Sequence, residues 1–455
     1  MPQEKEDKDY EFNDLFIPLT TRKVIIFLSL IGFFVFFNAL SGAFVWDDLS
    51  YIQFNPDVHT LDLINLFKAN SFNHSAGQYR ALTATYFASL YSLFGNNTFF
   101  YHFLQLVLHT ANTILLFFLF RKFFSINIAF FLSVIFLIHP MQVESVAFIG
   151  SSGNVLLFFL GITAVFLLHK ERYRRKPAKL LLVFFLLLLS LLAKETGAVF
   201  LLLAMIAPFL FLWKKKKLFL LYGLGVVSIY LLIRFGVGGV YLEHDALSSL
   251  IPITNLTFAE RILNMPAIFF YYISTFVFPY RLVIDQLWVI TAVDLQQFYI
   301  PLFISSIFLL ASLGFGSFLY KKKSSLLQGY IFFLLWFLFG IGIHLQIVPL
   351  DMTVADRWFY VPIAGLLGMI GVAMSTIHVK KYRKVIITVG VCIIIVLSIR
   401  AIVRNANWVD NMTLFSHDTP LIENYEMENN LASFYAMQGK SKDALIHSQK
   451  SVALY

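Results

Sequence analysis

Residues 180–217 read LLLVFFLLLLSLLAKETGAVFLLLAMIAPFLFLWKKKK. Two apolar runs, 180–193 and 198–213, are joined by the tight polar turn at Lys194–Gly197 and closed by four lysines. Neither run shows the polar stripe that a helix on the surface of a soluble domain carries. Both therefore belong in hydrocarbon, where a helix needs about 20 apolar residues, or fewer if the bilayer thins locally. The rest of the chain agrees. Its 455 residues are 59% hydrophobic and 13% charged, with 52 Phe and a mean hydropathy of +0.75. Soluble domains are about 45–50% apolar and about 25% charged, so a soluble enzyme is excluded, and so is a disordered chain. The single Cys392 removes any disulfide framework or cysteine zinc site.

By the same criterion, spans are expected near 24–44, 101–120, 126–139, 153–168, 180–193, 198–213, 218–233, 298–319, 327–348, 360–378 and 385–403. This is an all-α polytopic membrane protein of about 11 transmembrane helices. A further apolar stretch, 266–279, is bracketed by prolines and reads as a re-entrant or interfacial helix. Basic clusters at Arg121–Lys122, 170–179, Lys214–Lys217, Lys321–Lys323 and 380–384 follow every second span. They mark one side as cytoplasmic. The net charge of +9 is thus a topology signal and calls for no nucleic-acid partner. The N-terminus is expected in the cytoplasm and the C-terminus outside, with the first span an uncleaved anchor because no cleavage pattern follows it. Three regions result: a tail over 1–23, a membrane domain over 24–403 and an outside segment over 404–455. The last carries NNLASFYAMQGKSKDALIHSQKSVALY, with Leu431, Ala432, Tyr435, Gly439, Ala444 and Leu445 at the spacing of one tetratricopeptide unit.

Chemistry-bearing residues gather on the outer face, in the loops 45–100 and 234–297 and in shorter ones. Asp47 and Asp48 end the first span. A carboxylate beside hydrocarbon is costly unless hydrated, paired or used, and one at a lipid-accessible rim suits a general base. The plainer reading is a solvated cap. Adjacent residues diverge, so at most one of the two reaches a reacting hydroxyl, and Asp47 is favoured. Arg80 opens an aromatic helix suited to the membrane surface. His102, His109 and Asn112 share a face of the next span, where interhelical hydrogen bonding is the first expectation. His139-Pro140 ends the third span, and Pro140 starts a short helix with Glu144 on its first turn. Lys194 and Glu195 read first as an interfacial ion pair, and alternatively as a phosphate contact through Lys194. Arg357 offers a planar guanidinium suited to phosphate. Asn73, Asn96, Asn255 and Asn411 open sequons on the expected outer side. No Walker A loop, His-Glu-x-x-His site, nucleophile elbow or metal-ligand cluster is present in the sequence, so no ATP-driven or zinc-dependent chemistry is indicated.

In order, VWDD, YRALT, YHFLQLVLHTAN, HPMQVESVAFIGSSGNVLL, LLAKETG, ADRWFYVP, Trp408 and the repeat unit follow one layout. The chain resembles, from about residue 40 to 455, the transmembrane and tetratricopeptide-repeat-containing O-mannosyltransferases and their bacterial relatives. These belong to the GT-C glycosyltransferases. The resemblance implies an active site on the outer face, a polyprenyl-phosphate monosaccharide donor and inverting transfer to a hydroxyl of a protein or glycan acceptor. It matches one of Asp47 and Asp48 to the base, and Glu144, Lys194, Glu195 and Arg357 to the other charged positions. Arg80 and His139 complete the expected donor site. The layout departs from the relatives at YRALT, where they commonly carry an Arg-Pro pair, and in having one repeat unit where they carry an array. A flippase of lipid-linked sugars would instead favour charges in mid-span, and a scaffold would consume no donor. The Phe- and Lys-rich, Cys-poor composition suits a prokaryotic plasma membrane.

Overall fold

The structure, a computed structural model, describes residues 18–68, 78–170, 176–239, 250–376 and 383–455. Residues 1–17 of the expected tail, 171–175 and 380–382 of two basic clusters, 377–378 at the end of the expected span 360–378, and the sequon at Asn73 lie outside the described residues. Among the described residues the chain is helical throughout, and the nearest thing to a strand is an isolated bridge between Gln286 and Val354.

Each segment expected to span contains a helix among its described residues, but the lengths divide them. Among the described residues six helices are long and apolar enough to cross a bilayer: Thr21–Ser41, Thr98–Phe120, Ile149–Leu168, Lys216–Val237, Leu295–Lys321 and Val385–Asn407. A seventh arises if Ile126–Ile138 and Pro140–Ala147, bent by 51° at the proline, count together. Pro177–Ala193, Leu327–Gly342 and Pro362–Thr376 are apolar but shorter. The apolar stretch 266–279 is helical, but the helix starts earlier than its first proline. Its helix begins at Phe258, fixed by a capping box between Thr257 and Glu260, and runs through Pro266 to Val277.

Small residues let these helices approach closely, which is how association proceeds where lipid is as apolar as the side chains. At Gly365 a Cβ would stand 2.5 Å from the Phe337 backbone nitrogen, so the Leu327–Gly342 and Pro362–Thr376 helices meet backbone to backbone. Trp336, Phe158, Phe200 and Tyr360 fill the centre, and the Trp336 indole donates to the Val361 carbonyl at 3.0 Å. The interhelical bonds expected of His109 and Asn112 form: His109 meets the Tyr360 hydroxyl at 2.8 Å and the Leu137 carbonyl at 2.9 Å. Asn112 donates to the Val155 carbonyl and to Tyr360. His102 is buried against Gly42.

After Asn407 a short helix, Asn411–Asp418, leads to a helical hairpin of Tyr425–Met437 and Ser441–Leu454. The hairpin is docked onto the preceding domain. Asn424 donates to the backbone and carboxylate of Asp285. Arg404 forks onto Asp418 at 2.6 and 2.7 Å, both side chains almost fully buried.

Candidate active site

The first loop makes its turn on a strained residue. Trp46 has φ of 53°, a left-handed conformation that costs a bulky side chain on the order of 1–3 kcal/mol. Three contacts hold it there. Its N–H donates to Asn411 Oδ1 at 2.7 Å, its ring packs on Phe148 at 5.3 Å, and the Arg357 guanidinium lies over it at 5.3 Å. The turn sends the two following carboxylates apart.

Asp48 goes inward. It is fully buried and accepts the backbone N–H groups of Val45 at 3.0 Å and Gly150 at 2.5 Å. Burial raises its pKa well above the usual carboxylate range, against the pull of those N–H groups. Asp48 is therefore a pin between the first loop and Ile149–Ser151. Asp47 goes outward, onto the wall of a small open cleft. Burial first, and Asp351 as well, push its carboxyl up to about 6, although Arg357 and Arg80 pull the other way.

Five charged side chains line this cleft: Asp47, Asp351, Arg80, Lys194 and Arg357. Phe148, Trp358, Tyr51, Thr83, Ser151, Asn154 and two glycines complete it. The three cations are neutralised differently. Arg357 is bound by Glu144, which takes both its guanidinium and its backbone N–H. Arg80 faces Glu195 at 3.6 Å, and Arg234 reaches the same carboxylate at 3.3 Å. Glu195 also accepts the Tyr79 N–H at 2.9 Å. Burial works against its ionisation, but Arg80, that N–H and Arg234 outweigh it and lower its pKa. Lys194 is 7% exposed and gives its ammonium to a neutral amide, Asn154 Oδ1 at 2.7 Å. Asn154 in turn donates to Ser151 Oγ at 2.8 Å.

The expected Lys194–Glu195 ion pair is thus replaced. The 3-10 turn at Glu195–Gly197 points the two side chains to different partners. His139 is not brought to the cleft. Its Nδ1 accepts the Met141 N–H and caps the turn at Pro140, while Nε2 meets the Phe276 carbonyl at 2.9 Å. Glu144 sits on the first turn after Pro140, as expected, and serves Arg357 from behind the wall.

Four participants escaped the sequence reading: Asp351, Tyr51, Asn154 and Arg234. Arg234 had a signal, because a lone cation at the end of an apolar run marks a functional position by default. Asp351 lies six residues before Arg357 in one outside loop. Asn154 and Tyr51 had none. Among the described residues no group of three or more acidic, histidine or cysteine side chains is arranged to hold a metal ion.

Over 446 residues, 93% of its length, the chain is 27% identical to protein O-mannosyl-transferase F38B6.6 of Caenorhabditis elegans. Over 187 residues it is 29% identical to protein O-mannosyl-transferase TMTC1 of Homo sapiens, and equally to that of Mus musculus. It spans 61% of the length of the worm protein and 20% of the human one. No family profile and no solved structure matches it. The chain is a multi-pass, helical membrane protein similar along nearly its whole length to a protein O-mannosyltransferase.

Proposed function

We propose that this chain is an integral-membrane glycosyltransferase that moves a monosaccharide, mannose being the first candidate, from a polyprenyl-phosphate donor to a hydroxyl of a protein acceptor. The observation that carries the reading is the cleft itself. One carboxylate with a raised pKa, Asp47, stands on the same wall system as three cations, and one of those cations, Lys194, has no carboxylate partner of its own among the described residues. The names of the relatives supply the reaction class.

In this reading Asp47 removes the proton of the acceptor hydroxyl as that oxygen attacks the anomeric carbon. The bond from that carbon to the phosphate oxygen breaks on the opposite face, and the configuration inverts. Phosphate is a good leaving group, so a base and an electrostatic clamp suffice without a protein nucleophile. Lys194 and Arg357 form the clamp. Arg80 and Glu195 hold the far wall, and Glu144 aims Arg357. The lipid tail remains among the exposed apolar helices.

The alternating basic clusters support an extracytoplasmic cleft, in a topology of about 11 spans with the C-terminus outside. The composition suits a prokaryotic plasma membrane, whereas the named relatives are from animals. The reading needs only the outer face of whichever membrane holds it. The terminal hairpin is read as a tetratricopeptide unit serving the acceptor. The test is mass spectrometry of Ser/Thr-rich peptides after incubation of the purified chain with polyprenyl-phosphate mannose. A mass increase of one hexose supports the proposal, while intact donor and unmodified peptide count against it.

A further inference from the structure

The three cleft cations differ in one respect that the transfer scheme leaves unused. Arg357 and Arg80 each arrive with a carboxylate, Glu144 and Glu195 respectively. Lys194 arrives with none among the described residues; its amine donates to Asn154, which is itself tied to Ser151. An ammonium out of water, facing two guanidinium groups and hydrogen-bonded only to a neutral amide, is poorly stabilised. Its surroundings are Arg80 and Arg357 on the unfavourable side and Asp351 and Glu195 on the favourable one, with His344 also within its electrostatic reach and Asp47 on the same cleft wall. Burial and then the two arginines hold the amine well below its ordinary range.

We propose that Lys194 receives a proton as the donor phosphate arrives, so that donor binding and proton uptake are one event. The inference rests on the phosphate reading above. The incoming anion supplies the counter-charge the cleft withholds, and the solvent supplies the proton to Nζ. During transfer the sugar–phosphate bond breaks with its electron pair going to the phosphate oxygen. The phosphodiester monoanion then becomes a monoester dianion, and the ammonium is in place for the second negative charge. The acceptor's proton goes to Asp47, so Lys194 keeps its own. A lysine suits this role and an arginine does not, because a guanidinium is always charged.

Titration calorimetry of the purified full chain in detergent tests this, with farnesyl phosphate as probe at pH 8, where the monoester itself is already a dianion. Repeating the titration in buffers of different ionisation enthalpy counts protons. Wild type should take up close to one proton per ligand, and Kd should rise about tenfold per pH unit wherever that proton is taken up. Lys194→Arg should bind with no uptake and a flat pH dependence. Asn154→Asp should also lose the uptake, because the new carboxylate protonates Lys194 in advance, and should bind more weakly at an unchanged melting temperature. If Lys194→Arg does not fold, Asn154→Asp decides. Wild-type binding without uptake, or uptake that survives in Lys194→Arg, overturns the inference. Absence of any farnesyl phosphate binding by wild type refutes the phosphate reading itself.

Discussion

Replacing the two adjacent aspartates separately should give opposite defects. Asp47 lines the cleft, and its carboxylate has the Tyr51 hydroxyl as hydrogen-bond partner. Asn at this position keeps the size and removes the basicity. Loss of a general base costs a factor of about 10²–10⁴, equivalent to about 2.7–5.4 kcal/mol of barrier. Folding should be untouched or slightly favoured at pH 7, since a carboxylate that burial pushes up to about 6 is being removed in its unfavourable charged form. Asp48→Ala instead strips the acceptor from two buried N–H groups. At about 1–3 kcal/mol each, the loss is about 2–6 kcal/mol, a large share of the about 5–15 kcal/mol that holds a typical domain. The assay pairs hexose transfer to a peptide with thermal unfolding in detergent, across pH. Wild-type turnover should fall as pH drops through about 6, because protonation consumes the base, and that limb should vanish from the residual activity of Asp47→Asn. An Asp47→Asn protein that keeps turnover within about threefold of wild type would refute the assignment.

Other perturbations separate structure from chemistry in the same way. Glu144→Ala leaves the Arg357 guanidinium buried without its carboxylate and should cost about 3–5 kcal/mol of stability. The double variant Glu144→Ala/Arg357→Ala should melt higher than Glu144→Ala while binding donor poorly, as calorimetry would register. Arg404→Ala breaks the buried fork onto Asp418 and should also cost about 3–5 kcal/mol, with limited proteolysis cutting after residue 418 faster than in wild type. For topology, a reporter fused after Tyr455 should be extracytoplasmic and one inserted at Lys214–Lys217 cytoplasmic. Finding both on one side would undo the assignment of the cleft to the outer face.

What the sequence disclosed followed from one-dimensional signals. Apolar runs located the helices because hydrocarbon selects on composition alone, and Pro140 announced both the bend and the placement of Glu144. The ends were harder. Phe258 starts its helix eight residues before the proline that looked like its boundary, because a capping box outweighs a tolerated interior proline once neighbouring helices support the backbone. Which of Asp47 and Asp48 faces the cleft depends on a positive φ at Trp46, and nothing in VWDD specifies that a tryptophan adopts it. The pairing of Arg357 with Glu144, 213 residues apart, and of Glu195 with Arg80 and Arg234, is settled by helix packing. A list of charged loop residues cannot tell which cations are already spoken for.

The pin between Asp48 and Gly150 ties the base to a segment 102 residues further along the chain. A Cβ on Gly150 would stand 2.6 Å from the Phe148 ring and 3.1 Å from the Asp48 carboxylate, so a single methyl group there pushes the first loop off its anchor. Inactivating lesions should accordingly turn up at a glycine with no reactive group of its own. A genetic map of lost function in this protein would trace the supports of the first loop as much as the reaction it carries.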